Sequence, residues 1–285
     1  MQEFKDKVAV ITGGASGLGL AMAKRFAREG MKLVLADVEE DALRRVDQEF
    51  RKAGVPVLSI RTDVSRGQDL ERLAEKTLAT FGSVHIVCNN AGVAPGGPVW
   101  ESTTADWEWV MGVNVWGVIH GVRVFVPIML RQDTPCHVVN TASVAGLLSV
   151  PGMGIYCVSK HAVVTLSECL YHDLTARGAK IGVSVLCPAY VPTGIADSER
   201  NRPALLRNAQ RARTAEDLTR EEQMRHAVTS GKVSAEMVAD TVFEAIRDER
   251  FYVLTHPRIK GAIETRMRDI LDERNPTDTS KPSAR

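Results

Sequence analysis

Val8-Ala9-Val10-Ile11-Thr12-Gly13-Gly14-Ala15-Ser16-Gly17-Leu18-Gly19 reads as a buried strand that passes through a glycine turn into a helix. The opening run is continuously apolar and β-branched, which suits a strand covered on both faces. Leu18, Met22 and Phe26 then recur four apart and make the stripe of a helix that lies back on a sheet, ended by Gly30. Glycine between the two elements lets the backbone approach a ligand, and the helix N-terminus offers unpaired N–H groups to a phosphate. Gly13, Ser16, Gly17, Leu18 and Gly19 are therefore the candidate cradle for a dinucleotide pyrophosphate.

The pattern repeats along the chain. Apolar runs at 8–12, 33–37, 57–63, 86–89, 137–142, 182–187 and 251–254 read as strands, with helical patterns at 17–29, 39–53, 67–81, 104–131, 156–176 and 234–248 between them. Such an alternation builds a parallel sheet through right-handed crossovers. The expected fold is α/β, a single Rossmann-type doubly wound parallel sheet of about seven strands with helices on both faces. No repeat or linker divides the chain, so residues 1–257 are taken as one domain. Within it, 195–232 is helical in pattern but heavily charged: Arg200, Arg202, Arg207, Arg211 and Arg213 precede Glu216, Asp217, Glu221 and Glu222. The signs nearly balance, which suits a solvated helical substrate lid better than a nucleic-acid patch. Residues 258–285 form an extension, a helix at 259–273 and a polar tail at 276–285 expected to be mobile.

Hydrophobic residues make up 44% and charged residues 25% of the 285, ordinary for a folded enzyme. Thirty-six Lys and Arg face 35 Asp and Glu, a formal charge of +1, so no global field draws the chain to nucleic acid or an anionic membrane. The apolar runs are strand-sized, short of a bilayer span, and residues 1–7 lack a signal-peptide pattern. A cytoplasmic protein without nucleic-acid or membrane partners is expected. Cys88, Cys136, Cys157, Cys169 and Cys187 are scattered without a metal-type pair, so neither a zinc site nor a disulfide framework is expected. Cys157 adjoins Tyr156 but faces another side of the helix and is read as packing.

Tyr156-Cys157-Val158-Ser159-Lys160 carries the chemistry. Side chains four apart on a helix share a face, so Tyr156 and Lys160 can point into one cleft. An ammonium beside a phenol favours phenolate, giving a proton acceptor near neutral pH for the oxidation of an alcohol. Asp37, at the end of the second strand, stands about where an acid hydrogen-bonds the adenosine ribose, roughly 20 residues after the glycine turn. A carboxylate there repels a 2′-phosphate.

The spacing Thr12-Gly13-x-x-x-Gly17-x-Gly19 departs from the commoner G-x-G-x-x-G and resembles the short-chain dehydrogenase/reductase family. The resemblance continues through Asp63-Val64, Asn89-Asn90-Ala91-Gly92, Ser143, Tyr156 with Lys160, and Pro188-Ala189-Tyr190-Val191-Pro192-Thr193, over roughly residues 7–254. It implies that Asp63 and Val64 hold adenine, that Asn90, Ala91 and Gly92 line the cofactor cleft, and that Pro188, Val191 and Thr193 border the nicotinamide. Ala189 stands where glycine is common in the family. Ala15 and Val38 stand where members that use the phosphorylated cofactor often carry a basic residue, so the resemblance implies NAD rather than NADP. It also assigns Asn114, Ser143, Tyr156 and Lys160 as a catalytic tetrad. Tyr156 is the acid/base, Lys160 tunes it and bonds the nicotinamide ribose, Ser143 holds the substrate oxygen, and Asn114 holds a water linked to Lys160. His161 is outside the matched set.

The expected substrate pocket is walled by Gly146, Leu147, Leu148, Val150 and Met153, by residues 93–98, and by Tyr190 with the lid. Walls so apolar suit a bulky secondary alcohol or its ketone, aromatic, terpenoid or steroid-like. The leading expectation is an NAD-dependent alcohol dehydrogenase or ketone reductase; the alternatives are a catalytically silent NAD-binding regulator and a scaffold recruiting a partner through the tail helix. A homo-oligomer, dimer or tetramer, is expected through the helices at 104–131 and 156–176, with Val118, Val122, Val163 and Leu170 as interface candidates.

Overall fold

The computed structural model describes residues 1–208 and 214–279. Seven strands form one parallel sheet: β1 Val8–Thr12, β2 Lys32–Asp37, β3 Val57–Arg61, β4 Ile86–Asn89, β5 Cys136–Thr141, β6 Ile181–Cys187 and β7 Tyr252–Leu254. Their order is β3-β2-β1-β4-β5-β6-β7, so the direction of winding reverses between β1 and β4. A crevice opens at such a reversal, beyond the carboxyl ends of the strands.

The continuous apolar runs divide residue by residue between two cores. Ala9, Ile11, Leu33 and Leu35 join a cluster with α1 (Gly17–Arg28), α2 (Glu40–Lys52) and α8 (Ala235–Arg247). Val8, Val10, Val34 and Ala36 join another with α3 (Gly67–Phe81), α5 (Gly117–Gln132) and α6 (Gly154–Ala176). Strand side chains alternate faces, so a sheet covered on both sides requires apolar residues at every position. Phe26 on one side and Phe125 on the other are fully buried.

The expected helix at 104–131 is three segments. Thr103 and Asp106 form a reciprocal capping box that starts α4 (Thr104–Met111), a π turn follows at Gly112–Trp116, and α5 continues. Gly117 and Gly121 bring this run against the sheet, since a Cβ on Gly121 would lie 1.9 Å from Asn89 Oδ1. Thr104–Gln132 is long and apolar enough to cross a bilayer by length and composition, contrary to the expectation of strand-sized apolar runs only. Its apolar residues Val118, Phe125 and Met129 are spent on the sheet instead.

The interface candidates are corrected in the same way. Val118, Val163 and Leu170 are buried within the chain, and Val122 packs against its core; the large apolar side chains left exposed on these helices are Trp116, which lines the cleft, Val158 and Tyr171. Of the expected lid and tail, 209–213 with Arg211 and Arg213, and 280–285, lie outside the described residues. The lid otherwise comprises a 3-10 segment Gly194–Asn201, a 3-10 turn Ala204–Leu206 and α7 (Ala215–Thr229), and the extension forms α9 (Ile259–Leu271).

Candidate active site

The crevice is a cleft of about 1140 Å³. Gly13, Ser16, Gly17, Leu18, Asp37, Asp63, Val64, Asn90, Ala91, Gly92, Ser143, Tyr156, Lys160, Pro188, Val191 and Thr193 line it. Of the expected set, Gly19 and Asn114 alone stand behind the wall.

At the β1 end the backbone makes the site. Gly13 and Gly17 take left-handed φ values of 64° and 52°. Gly19 has no room for a side chain, since a Cβ would lie 2.0 Å from Gly13 O. Ser16 precedes α1 without capping it, and no acid stands in the first turn of the helix. Asp37 is buried and accepts the Ala15 N–H on Oδ2 and the Glu39 N–H on Oδ1, both at 3.0 Å. Burial raises its carboxyl above the usual range even though these two bonds pull it down. An open helix start beside a carboxylate at a strand end fits the pyrophosphate and adenosine ribose of a dinucleotide.

Asn90 and Asp63 brace this end. Thr12 Oγ1 accepts the N–H groups of Asn90 (2.9 Å) and Ala91 (3.1 Å), and Asn90 Nδ2 donates to Thr12 O at 3.0 Å, joining the ends of β1 and β4. Asp63 Oδ1 accepts the Ser65 N–H and hydroxyl, at 3.0 and 2.7 Å. Sequence reasoning missed Arg61, which stands beside Asp37 in the sheet register and lines the cleft; its side chain has no ion pair or hydrogen bond among the described residues.

At the β5 end side chains converge. Ser143 follows β5; its Oγ accepts the Ala145 N–H (3.1 Å), donates to Pro188 O (3.3 Å) and hydrogen-bonds Tyr156. Lys160 is 3% exposed, donates from Nζ to Thr141 O at 2.9 Å, and lies 5.6 Å from the Tyr156 ring centroid. Burial pushes the Tyr156 phenol up to about 12, against the pull of the Ser143 hydrogen bond, and pushes Lys160 down to about 8. This is opposite to the near-neutral phenol expected from the spacing, because desolvation disfavours both charged forms and spacing carries no information about burial. Asn114, in the π turn, accepts the Val93 N–H (2.8 Å) and donates both amide hydrogens, to Val93 O (2.9 Å) and Ser159 Oγ (3.0 Å). Its side chain pins the loop after β4 to α6, with one lone pair of Oδ1 left over. Ala189 does not take a left-handed φ, and its N–H donates to His256 Nδ1 at 3.2 Å, so the loop accommodates alanine.

Beyond Ser143 the walls are apolar: Leu148, Val150 and Met153 as expected, without Gly146 or Leu147, joined by Trp109, Leu206, Met224 and Val228. His256, Arg258 and Ile259 bring the C-terminal extension into the cleft. These additions lie on elements with no motif, and their apolar residues look in sequence like any helix face.

The lid is fastened more firmly than its charge pattern suggests. Arg202 is buried, ion-paired with Asp106 at 2.6 Å, and stacked over Trp109 at 5.0 Å from the ring centroid. Ser198 is also buried and accepts the Ala94 N–H at 3.1 Å.

A nucleotide cradle on β1 and β2 facing a Ser-Tyr-Lys group on β5 and α6 is the arrangement of a dinucleotide-dependent oxidoreductase. The short chain dehydrogenase family matches residues 7–204, and the chain belongs to this family of short-chain dehydrogenases/reductases. It is similar, with 56% identity, a TM-score of 0.96 and coverage of 99% of this chain and 100% of the other, to a short-chain dehydrogenase/reductase from Burkholderia phymatum solved in complex with NAD. It is 36% identical over 278 residues to the CLA biosynthesis dehydrogenase/reductase of Lactiplantibacillus plantarum, covering 97% of each. It is also 36% identical over 272 residues to the 1-deoxy-11-beta-hydroxypentalenate dehydrogenase of Streptomyces exfoliatus, covering 95% of this chain and 89% of that one.

Proposed function

We propose that the protein is an NAD-dependent oxidoreductase interconverting a bulky, hydrophobic secondary alcohol and its ketone. The observation that carries this reading is the convergence of Ser143, Tyr156 and Lys160 at the apolar end of a cleft whose other end is a dinucleotide cradle. The complex of the Burkholderia phymatum relative with NAD supports the choice of cofactor, as does the acid at the end of β2.

The cradle residues Gly13 to Gly19 would hold the pyrophosphate and Asp37 the adenosine ribose. Bound NAD supplies the hydride acceptor. Ser143 holds the substrate oxygen, and its bond to Pro188 O fixes where that oxygen sits. Tyr156 takes the hydroxyl proton in oxidation and returns it in reduction. With the phenol at about 12, Tyr156 keeps its proton at neutral pH and is set as the acid for ketone reduction; oxidation gains as the pH rises. Lys160 holds the loop end through Thr141 O and faces the tyrosine ring, where a cation favours phenolate. The exposed apolar side chains Val158 and Tyr171 on α6 leave room for a contact between copies in a homo-oligomer.

The deciding experiment is Tyr156→Phe with a panel of hydrophobic alcohols and ketones, followed by NADH absorbance. Turnover should fall on the order of 10²-fold or more with NAD affinity nearly unchanged. Near-normal turnover would remove Tyr156 from its role.

A further inference from the structure

The lid begins against one end of the nucleotide cradle and is tied to the other. At its start, Thr193 lies against the glycine turn, with its Cβ 3.3 Å from where a Cβ on Gly17 would stand. At Arg200 and Asn201 it reaches Glu39, two residues past Asp37. One carboxylate oxygen, Glu39 Oε1, accepts from Arg200 Nε (3.0 Å), Arg200 Nη2 (2.6 Å) and Asn201 Nδ2 (2.7 Å). The remaining Arg200 nitrogen, Nη1, donates to Gly194 O and Asp197 O, both at 2.9 Å, so the same guanidinium folds the 3-10 segment and moors it. Glu39 is held in turn by its own N–H on Asp37 Oδ1. Glu39, Arg200 and Asn201 all line the cleft.

We infer that Glu39 is a positioning residue that clasps the segment Gly194–Asn201 over the nucleotide half of the cleft, so that NAD and NADH enter and leave only when the Glu39 contact to Arg200 and Asn201 opens. The inference rests on the NAD reading above and adds a gate to it. The geometry separates this moor from a second one. Arg202 pairs with Asp106 on α4 and Asn208 donates to the same Asp106 at 2.9 Å, which fastens the following stretch, with Pro203 and Leu206, over the substrate half. The segment is thus fastened at Glu39 towards one half of the cleft and at Asp106 towards the other, with Ser198 on the Ala94 N–H and Asp197 paired with Arg225 between them, and either end can be cut alone.

The test uses the full chain with Glu39→Ala, Arg200→Met, the double variant, and Asp106→Asn as the contrast. NADH release is followed by stopped-flow fluorescence, NADH affinity by titration, and hydrogen exchange of 194–201 in the protein alone. Charged hydrogen bonds of this kind should make release about tenfold faster in either single variant, with faster exchange in 194–201 and no further gain in the double variant. Asp106→Asn should leave NADH release near the parent value and raise the substrate KM. Three results would overturn the inference: unchanged release in Glu39→Ala; faster release in Glu39→Ala but not in Arg200→Met, which would make Glu39 a direct cofactor contact; or additive effects in the double variant. No NADH binding by the parent protein, with exchange of 194–201 still faster in Glu39→Ala and Arg200→Met, would sink the cofactor reading while leaving the clasp standing.

Discussion

The two halves of the cleft are built from different materials. The nucleotide half is mostly backbone: two left-handed glycines, a third with no space for a Cβ, an uncapped helix start, and a carboxylate held by two N–H groups. The substrate half is side chains on late elements, with Arg202, Trp109, Leu206, Met224 and Val228 brought together by the lid and α4. Backbone sites tolerate almost no change of residue type, whereas a side-chain wall can be exchanged piece by piece. A fold built this way can keep its cradle and vary its substrate wall.

The sharpest test of that contrast is Gly19→Ala. The added Cβ would meet Gly13 O, a backbone atom that cannot swing away, so the turn must deform. NAD affinity should fall about 10²-fold or more, together with a stability loss of about 3 kcal/mol or more. Leu206→Ala, on the other wall, should change substrate KM and leave NAD titrations as they were. Equal loss of NAD binding in both would abolish the distinction.

Arg202→Met comes next. Its side chain is 5% exposed and that of Asp106 14%, and removing Arg202 takes away the charged partner of Asp106 while its bonds to Thr103 and Asn208 stay. Breaking such a pair costs about 3–5 kcal/mol. Because the pair fastens the lid rather than the sheet, the loss should appear as a higher substrate KM and faster hydrogen exchange at 203–208, with the global unfolding midpoint little moved.

The same contrast governs what could be read in advance. All seven strands appear within about two residues of their expected limits, because a sheet buried on both faces demands apolar residues at every strand position and leaves long runs in the sequence. The glycine turn is legible from backbone geometry and the Tyr156–Lys160 pairing from helix spacing, whereas Ser143 is reached only through the family resemblance. Burial is not legible. Val118 and Val163 look like surface stripes on an apolar helix until the sheet consumes them, and the titration of Tyr156 and Lys160 depends on neighbours far away in sequence. Arg202 looked like one of several solvated cations, and only the fold brings it over Trp109.

Lys160 itself gives a stability test at the seam between the halves. Its pKa falls from 10.5 to about 8 on folding. Between those values the unfolded chain holds more protons, so stability rises with pH through that window and is lower below it by about 3 kcal/mol. Tyr156, raised from 10.0 to about 12, has the opposite sign: the unfolded chain loses its proton first, so stability falls from 10 upwards. Urea midpoints should therefore climb from pH 8 towards 9 and then turn over, because burial also raises the Cys88 and Cys187 thiols above 9.0 and their losses add to that of Tyr156. Lys160→Met should be more stable than the parent at neutral pH and should lack the climb; a climb that persists would place the titrating group elsewhere.

The smallest effect expected concerns which nucleotide the backbone half accepts. Arg61 is the neighbour of Asp37 in the sheet register, lines the same cleft, and has a side chain without an ion pair or hydrogen bond among the described residues. Positions 15 and 38 hold no cation, as expected, and the basic residue beside Asp37 is Arg61 on β3. Asp37→Ala should raise the efficiency with NADP relative to NAD by about tenfold, since the repulsion is removed and a guanidinium can then approach the phosphate. Adding Val38→Arg should take the ratio further. Adding Arg61→Ala to Asp37→Ala should cancel most of the gain. If Asp37→Ala weakens both nucleotides equally and Arg61→Ala changes nothing, selectivity at this end comes from the shape of the turn at Ala15 and Glu39 rather than from charge, and the backbone half reads the cofactor by geometry alone.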